Sequence, residues 1–468
     1  MRPPPPRFTR LGERLVCWRT QGRGPAAVLL HGSPQSSRAL AGLSAAVAAA
    51  GLCAVMPDTP GAGHSEPLPG EALTIADLAA ALRDFLDAIG LRQVALYGTH
   101  TGAAIACAFA ALWPERVAAL VLDGLAAWTA DERAAYTSDY APPFLPRWDG
   151  SHMTWLWSRM EAQSLFFPWH VQTAATWRGV DLSPPWHLHR NAMDMLEAGD
   201  AYRFVYQASL AFDPVKYPGG LAAARLMMLR SDVLRHHADR PALASVPRTM
   251  FDNTAALWLA VSAALAAGNA PAAPAFEPPG PFWRGTRAGT AKPLVLLHPA
   301  GASSRVFAPQ LAAATHPTIA LDLPGHGFDE RDMPDTAAAI AALVTADCRT
   351  LGLDSFDVAG PGFGGVIAAA MASPTIAAPP RAPHPAPPDL ATRGAVSLAP
   401  EWDGAHLLRA WRVAWRQALF TPWYNDQAPP NPPSDLTPTT IHLAALDLLR
   451  AGPAWPTANT IEAQASRS

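Results

Sequence analysis

The sequence predicts an α/β fold made of two units in tandem. Each is a parallel-rich sheet flanked by helices and roofed by a Trp-rich helical cap, and the second unit is cut short. Three observations predict this: a long segment recurs, apolar runs twice lead into glycine turns and small-residue helical stretches, and half of the 468 residues are hydrophobic while 16% are charged. A chain of that length and composition buries more than one core.

The recurrence is read directly. Residues 148–169 are WDGSHMTWLWSRMEAQSLFFPW and residues 402–423 are WDGAHLLRAWRVAWRQALFTPW. Trp148, Asp149, Gly150, His152 and Trp157 return in register as Trp402, Asp403, Gly404, His406 and Trp411, and the register holds through Pro168/Pro422 and Asp181/Asp435. After a one-residue gap, His189, Asp194 and Gly199 match His442, Asp447 and Gly452.

Upstream, AVLLHGSP at 27–34 parallels LVLLHPAG at 294–301, and DTPGAGHSE at 58–66 parallels DLPGHGFDE at 322–330. VALYGTHTGAAIACAFA parallels FDVAGPGFGGVIAAAMA, each a strand, a glycine-rich turn and a helix of small residues. Strands alternating with helices imply a parallel sheet covered on both faces. The first unit continues with LAAARLMMLRSD and VPRTMFDNTAALWLAVSAALAAG, a strand and turn, then a strand and closing helix. The second ends soon after Gly452, before comparable strands. The expected organisation is therefore a first domain over 1–275 with its cap at about 130–210, a linker over 276–290, and a second domain over 291–468 with its cap at about 400–455.

Composition narrows the function classes. A net charge of −3 excludes a broad nucleic-acid footprint, since phosphate binding needs clustered Lys and Arg. Four scattered cysteines suit a reducing compartment and build neither a disulfide scaffold nor a zinc knuckle. The proline-rich start lacks a signal-peptide core, and the uncharged stretch from Ala39 to Pro57 reads as a helix entering a buried strand, so no membrane association and a cytoplasmic location are expected.

Gly98-Thr99-His100-Thr101-Gly102 fits the pattern G-x-nucleophile-x-G, which sets its middle residue on a strained strand-to-helix turn. That elbow, the His-Gly after the first strand and the PGxG loop together resemble the α/β-hydrolase superfamily, over about residues 12–268 and again over 290–452. The resemblance implies a nucleophile at the elbow, an acid after a later strand and a late histidine. Here the elbow residue is His100, the acid is Asp123 or Asp232, and Asp252-Asn253 stand where the late histidine belongs. In the second unit the elbow residue is Gly362, which has no side chain to react.

At a helix N-terminus His100 is expected to be held neutral, as base or nucleophile, with Asp123 orienting its other ring nitrogen. Backbone N–H groups of Gly32, Ser33 and Thr101 are the expected oxyanion donors. His31, of the His-Gly motif, reads as structural, and His64 and the His236-His237 pair read as loop or surface residues. Recurring Trp148, Trp157 and Trp169 read as cap structure; His152, Trp155, Trp186 and His187 are the expected substrate-binding residues. No metal-ligand spacing occurs.

These residues point to a cofactor-independent hydrolase-like enzyme acting on a small hydrophobic or acyl/ester substrate. A lyase or decarboxylase using histidine as base, and a non-catalytic ligand-binding or interaction protein of the same fold, stand as alternatives. A short second sheet leaves an edge to be covered, so a homodimer is expected.

Overall fold

The computed structural model describes every residue except 1, 71, 374, 378–395, 421–422, 426, 428–429, 431–435 and 466–468. The repeat positions Pro422 and Asp435 lie outside the described residues. The chain divides into two compact units, Met1–Leu145 with Ser158–Pro278, and Pro146–Trp157 with Pro279–Ser468. The first unit ends close to the expected linker, but Pro146–Trp157, expected in the first cap, belongs to the second unit.

The first unit opens with β1 (Arg7–Leu11), β2 (Arg14–Gln21), β3 (Ala26–Leu30), α1 (Ala41–Ala49), β4 (Cys53–Pro57), α2 (Ile75–Ala88), β5 (Val94–Thr99), α3 (Thr101–Leu112) and β6 (Val117–Asp123). Four helices follow, α4 (Ala130–Asp139), α5 (Ser151–Leu165), α6 (Pro185–Ala198) and α7 (Ala201–Ala211), with the division between the units falling inside α5. The chain then returns through α8 (Pro218–Ala223), β7 (Ala224–Leu229), β8 (Arg248–Phe251) and α9 (Thr254–Ala266). The sheet order is β1-β2-β4-β3-β5-β6-β7-β8, parallel from β4 to β8.

Strand alternation decides which residues meet which helices. Ala26, Val28 and Leu30 of β3, with Val94 and Leu96 of β5, join the core that holds Leu78 and Leu82 of α2 and Ile105 and Phe109 of α3. Ala27, Leu29, Ala95 and Tyr97 face the other way, onto Leu43 and Val47 of α1 and Leu257, Val261 and Leu265 of α9. Both faces of the central strands are buried, which is why these strands are continuously apolar. Each fully buried Leu or Val is worth about 1.5–3 kcal/mol, so the centre of this sheet is its most stable part.

The second unit contains β9 (Trp283–Thr286), β10 (Leu294–Leu297), α10 (Ala308–Ala313), β11 (Thr318–Leu321), α11 (Ala337–Thr350), β12 (Phe356–Ala359), α12 (Gly362–Met371) and β13 (Ile376–Ala377). It closes with α13 (Ala405–Leu419), α14 (Pro438–Ala451) and α15 (Ala454–Ala465). Its sheet order is β13-β12-β10-β11-β9, with only β9 antiparallel. One face packs on α11, α12 and α15 through Val295, Leu297, Ile340, Val344, Ile367 and Ile461. The other is a small cluster of Leu296, Phe307 and Ala320. Among the described residues this sheet has no partners for β7 and β8.

All four cysteines are buried and free. Among the described residues no helix is long and apolar enough to cross a membrane.

Candidate functional site

β5 ends at Thr99 and α3 begins at Thr101, so His100 alone makes the turn, at φ 52° and ψ −112°. A side chain rarely tolerates that backbone, and the neighbours hold it in place. The His100 N–H donates to the Asp123 carbonyl at 2.8 Å. A Cβ on Gly98 would lie 2.1 Å from the Gly102 carbonyl oxygen, and one on Gly102 2.4 Å from that of Leu30. The two elbow glycines are therefore required by close backbone approach.

The second unit repeats the turn with a different residue at its apex. Gly362 has φ +53°, and Cβ atoms on Gly360 and Gly364 would lie 2.2 and 2.0 Å from the Leu297 carbonyl oxygen. A Cβ on Gly362 would meet Glu462 Oε1 of α15 at 3.0 Å. The Glu462 carboxyl, pushed up by burial, also accepts the N–H of Phe363, so a carboxylate of the same unit fills the space above this elbow.

The histidine after the first strand behaves alike in both units. His31 Nδ1 donates to Gly32 O at 3.0 Å and its Nε2 accepts the Thr59 N–H at 3.0 Å. His298 makes the same pair of bonds to Pro299 O at 2.9 Å and from the Leu323 N–H at 3.0 Å. Both tie a strand end to the next loop. His64 and His237, expected in loops or at the surface, lie outside the strands and α-helices but are buried: His64 pairs with Glu197 at 3.1 Å and His237 accepts the Ala127 N–H.

The acid that meets His100 is Asp232. His100 Nε2 and Asp232 Oδ2 are 2.9 Å apart, and Asp232 Oδ1 accepts the Leu234 N–H at 2.7 Å. Asp123, expected to orient the ring, spends its Oδ2 on the Tyr97 hydroxyl at 2.7 Å. Burial and the Asp232 charge push the Asp123 carboxyl up to about 7.

The expected downward shift of His100 is also corrected. Burial lowers it, but the Asp232 charge and hydrogen bond, with help from Asp123, lift the imidazole above its ordinary 6.5 on balance. A carboxylate in contact outweighs a helix terminus. Gly124, at φ +65°, makes room for this pair, since a Cβ there would lie 2.4 Å from His100 Cδ2.

His100 and Asp232 open onto a cavity of about 300 Å³, which Ser33 and Thr101 also line. Gly32 does not line it but packs beneath the His100 side chain, 3.2 Å from a Cβ built on the glycine to that of His100. The apolar wall comes from Trp128, Tyr136 and Tyr140 around α4, Phe167 after α5, and Tyr206 and Phe212 at α7. Tyr136 meets Trp128 and Tyr140 edge-on, and the Tyr206 hydroxyl donates to the Ser33 carbonyl at 2.8 Å. Arg178 and Gln163 add polar groups; Arg178 Nη1 donates to the Ser164 carbonyl at 3.0 Å.

The four expected substrate-binding residues are not in this lining. His152 and Trp155 belong to the second unit, where His152 is buried. Trp186 is 62% exposed on α6, with its ring beside His187. The Trp-rich stretch supplies Gln163 and Phe167, whereas most of the aromatic wall comes from Trp128, Tyr136 and Tyr140 around α4 and from Tyr206 and Phe212 at α7. The four-residue spacing of Tyr136 and Tyr140 is the signal in the sequence. Of the recurring tryptophans, Trp157 and Trp169 are buried, but Trp148 and Trp402 are exposed. Asn253, in the late-histidine position, caps α9 by accepting the Ala256 N–H.

The chain is similar to several known proteins over part of its length. A stretch of 100 residues is 38% identical to a 2-hydroxy-6-oxononadienedioate/2-hydroxy-6-oxononatrienedioate hydrolase of Pseudomonas putida, covering 21% of this chain and 35% of that protein. An uncharacterised protein of Mycobacterium tuberculosis is 30% identical over 120 residues, 26% of this chain and 35% of its own length. The chain thus matches 35% of the length of these curated relatives. Among solved structures, epoxide hydrolase A of Mycobacterium thermoresistibile is similar at 20% identity with a TM-score of 0.42, over 53% of this chain and 90% of that one. A hydrolase of Pseudomonas aeruginosa is similar at 18% identity with a TM-score of 0.41, over 56% and 97%. The family model for the alpha/beta hydrolase fold matches residues 25–191 and 292–385, more than half of the sequence, and the chain belongs to that family.

Proposed function

We propose that the chain is a cofactor-independent hydrolase whose first unit carries the chemistry and whose second unit is a degenerate tandem copy. His100 occupies the elbow position in place of the usual nucleophile and acts as general base. With Nε2 bonded to Asp232, Nδ1 takes a proton from water. The hydroxide oxygen adds to the substrate carbonyl, and the N–H groups of Thr101 and of the Gly32-Ser33 turn receive the developing oxyanion. As the tetrahedral adduct collapses, the imidazolium returns its proton to the leaving oxygen. Ester and water become acid and alcohol, and His100 is regenerated.

The observation that carries this reading is the 2.9 Å His100–Asp232 contact at the floor of the aromatic cavity. It supplies a positioned base, while strain in the elbow keeps the ring at the cavity. Nothing comparable is available to Gly362.

The cavity suits a small acyl or aryl substrate. Arg178, a cation beside the aromatic wall, suits a substrate with a carboxylate at the end remote from the scissile bond. The name of the Pseudomonas putida relative, a hydrolase of a dioate, agrees in kind. The test compares aryl esters of short apolar acids with aryl monoesters of dicarboxylic acids. Higher kcat/KM is expected for the acidic esters, and Arg178→Gln should raise KM about tenfold or more for these alone. Failure of the intact chain to hydrolyse either set would overturn the proposed activity.

A further inference from the structure

Within the second unit, the start of α5 and the start of α13 touch reciprocally. The His152 ring meets Trp411 edge-on at 4.6 Å and 83°, and the His406 ring meets Trp157 edge-on at 5.1 Å and 89°. A Cβ on Gly150 would lie 2.6 Å from Trp411 Cδ1, and one on Gly404 2.2 Å from Trp157 Cγ. In these histidine–tryptophan and glycine–tryptophan pairs, each member meets the counterpart of its own partner in the other segment.

The local fastenings repeat as well. His152 Nδ1 accepts the Arg147 N–H at 3.2 Å, and His406 Nδ1 accepts the Glu401 N–H at 3.3 Å. Asp149 caps Ser151 at 2.9 Å, and Asp403 caps Ala405 at 3.0 Å. Both tryptophans and both histidines of the contact are buried.

A contact in which residue i meets j and j meets i is the signature of an isologous interface, the kind that joins two identical chains about a twofold axis. Here both halves belong to one chain. We propose that Pro146–Trp157 and Glu401–Trp411 form a homodimer-type interface carried inside a single chain, each segment being the other's partner. This rests on the reading of the chain as two copies, and not on the activity proposed for the first. This self-complementary surface is then occupied within one chain and is not available to join two chains.

It also explains the recurrence itself. Gly150 and Gly404 recur because each must let a tryptophan lie on its backbone, at φ +76° and +70°. His152 and His406 recur because each is the edge on which the opposite indole rests.

The test is made on the full chain by light scattering at micromolar concentration, with amide hydrogen exchange on the same sample. The expected result is a mass of 49.5 kDa, with the amides of 151–157 and 405–411 slow and opening together. Trp157→Ala and Trp411→Ala should each accelerate exchange in both segments. Trp157→Phe and Trp411→Phe serve if the alanine variants do not fold. A dimer that dissociates on either substitution would overturn the proposal, since the contact would then lie between chains. So would two segments that exchange independently. Loss of ester hydrolysis with this result intact would remove the proposed activity alone.

Discussion

His100 Nε2 and Asp232 Oδ2 lie 2.9 Å apart although the two residues are separated by 132 positions in the chain. One sits at the apex of the elbow after β5 and the other in the turn after β7, and β6 lies between those strands in the sheet. The order of the sheet therefore creates the pair. Burial raises the Asp232 carboxyl, but the charge and hydrogen bond of His100 bring it below its ordinary 3.8 on balance. Each partner thus favours the charged form of the other.

The pH dependence follows from those directions. The working base is neutral imidazole, so kcat/KM should rise with pH to a midpoint above 6.5, where Asp232 holds His100. Asp232→Asn should move that midpoint down and reduce the plateau by about 10²-fold or more. The check is the kcat/KM profile of both proteins, and an unmoved midpoint would contradict the assignment. For stability, the raised histidine contributes fully below 6.5 and loses its contribution as pH rises through its folded value. The lowered carboxylate contributes above 3.8 and loses it as pH falls through its folded value. The pair therefore stabilises the fold fully between 3.8 and 6.5, and each partner's contribution is lost as the pH passes through its own folded value.

Gly124→Ala tests the positioning of the ring. The new methyl would lie 2.4 Å from His100 Cδ2 and 2.8 Å from Nε2, at a residue with φ +65°. The ring must leave Asp232, and displacement of that size typically lowers kcat by about 10²-fold. The backbone conformation adds a stability loss of about 1–2 kcal/mol. Unchanged circular dichroism with reduced kcat is the expected result; unchanged kcat would show that the His100 position does not matter.

The fold was legible because its signals are local and repeated. Apolar runs such as AVLLHGSP and glycines such as Gly98 and Gly102 answer to strand burial and backbone approach, which act over a few residues. The choice between Asp123 and Asp232 was not legible. Asp123 ends β6 and Asp232 follows β7, and what separates them, the Tyr97 hydroxyl on Asp123 and the His100 ring on Asp232, is made only by the fold. Nor does the sequence distinguish a cap helix over its own cavity from one engaged elsewhere. His152 and Trp155 stand on the start of α5, which packs in the second unit, while Tyr136 and Tyr206 form the wall. The upward shift of His100 was missed because the helix terminus is visible in sequence and the contact with Asp232 is not.

Acid should weaken the second unit through its buried histidines. Burial, with His442 close by at 3.3 Å, holds His152 down to about 3. The unfolded chain takes up its proton near 6.5 and the folded one only near 3, so stability falls as pH drops through that window. Urea unfolding at a series of pH values should show this slope. His152→Gln should make it shallower by up to about 1.4 kcal/mol per pH unit. An unchanged slope would mean that His152 is charged in the folded state.

The central claim is that the first unit is catalytic through His100. It is tested most directly by kcat/KM of His100→Ala on whichever aryl ester the intact chain hydrolyses best. Alanine removes the base but leaves Gly98, Gly102 and the N–H groups of Thr101 and Ser33 in place. The expected loss is about 10²–10⁴-fold, with the fold retained by circular dichroism. Near-normal turnover by His100→Ala would contradict the account.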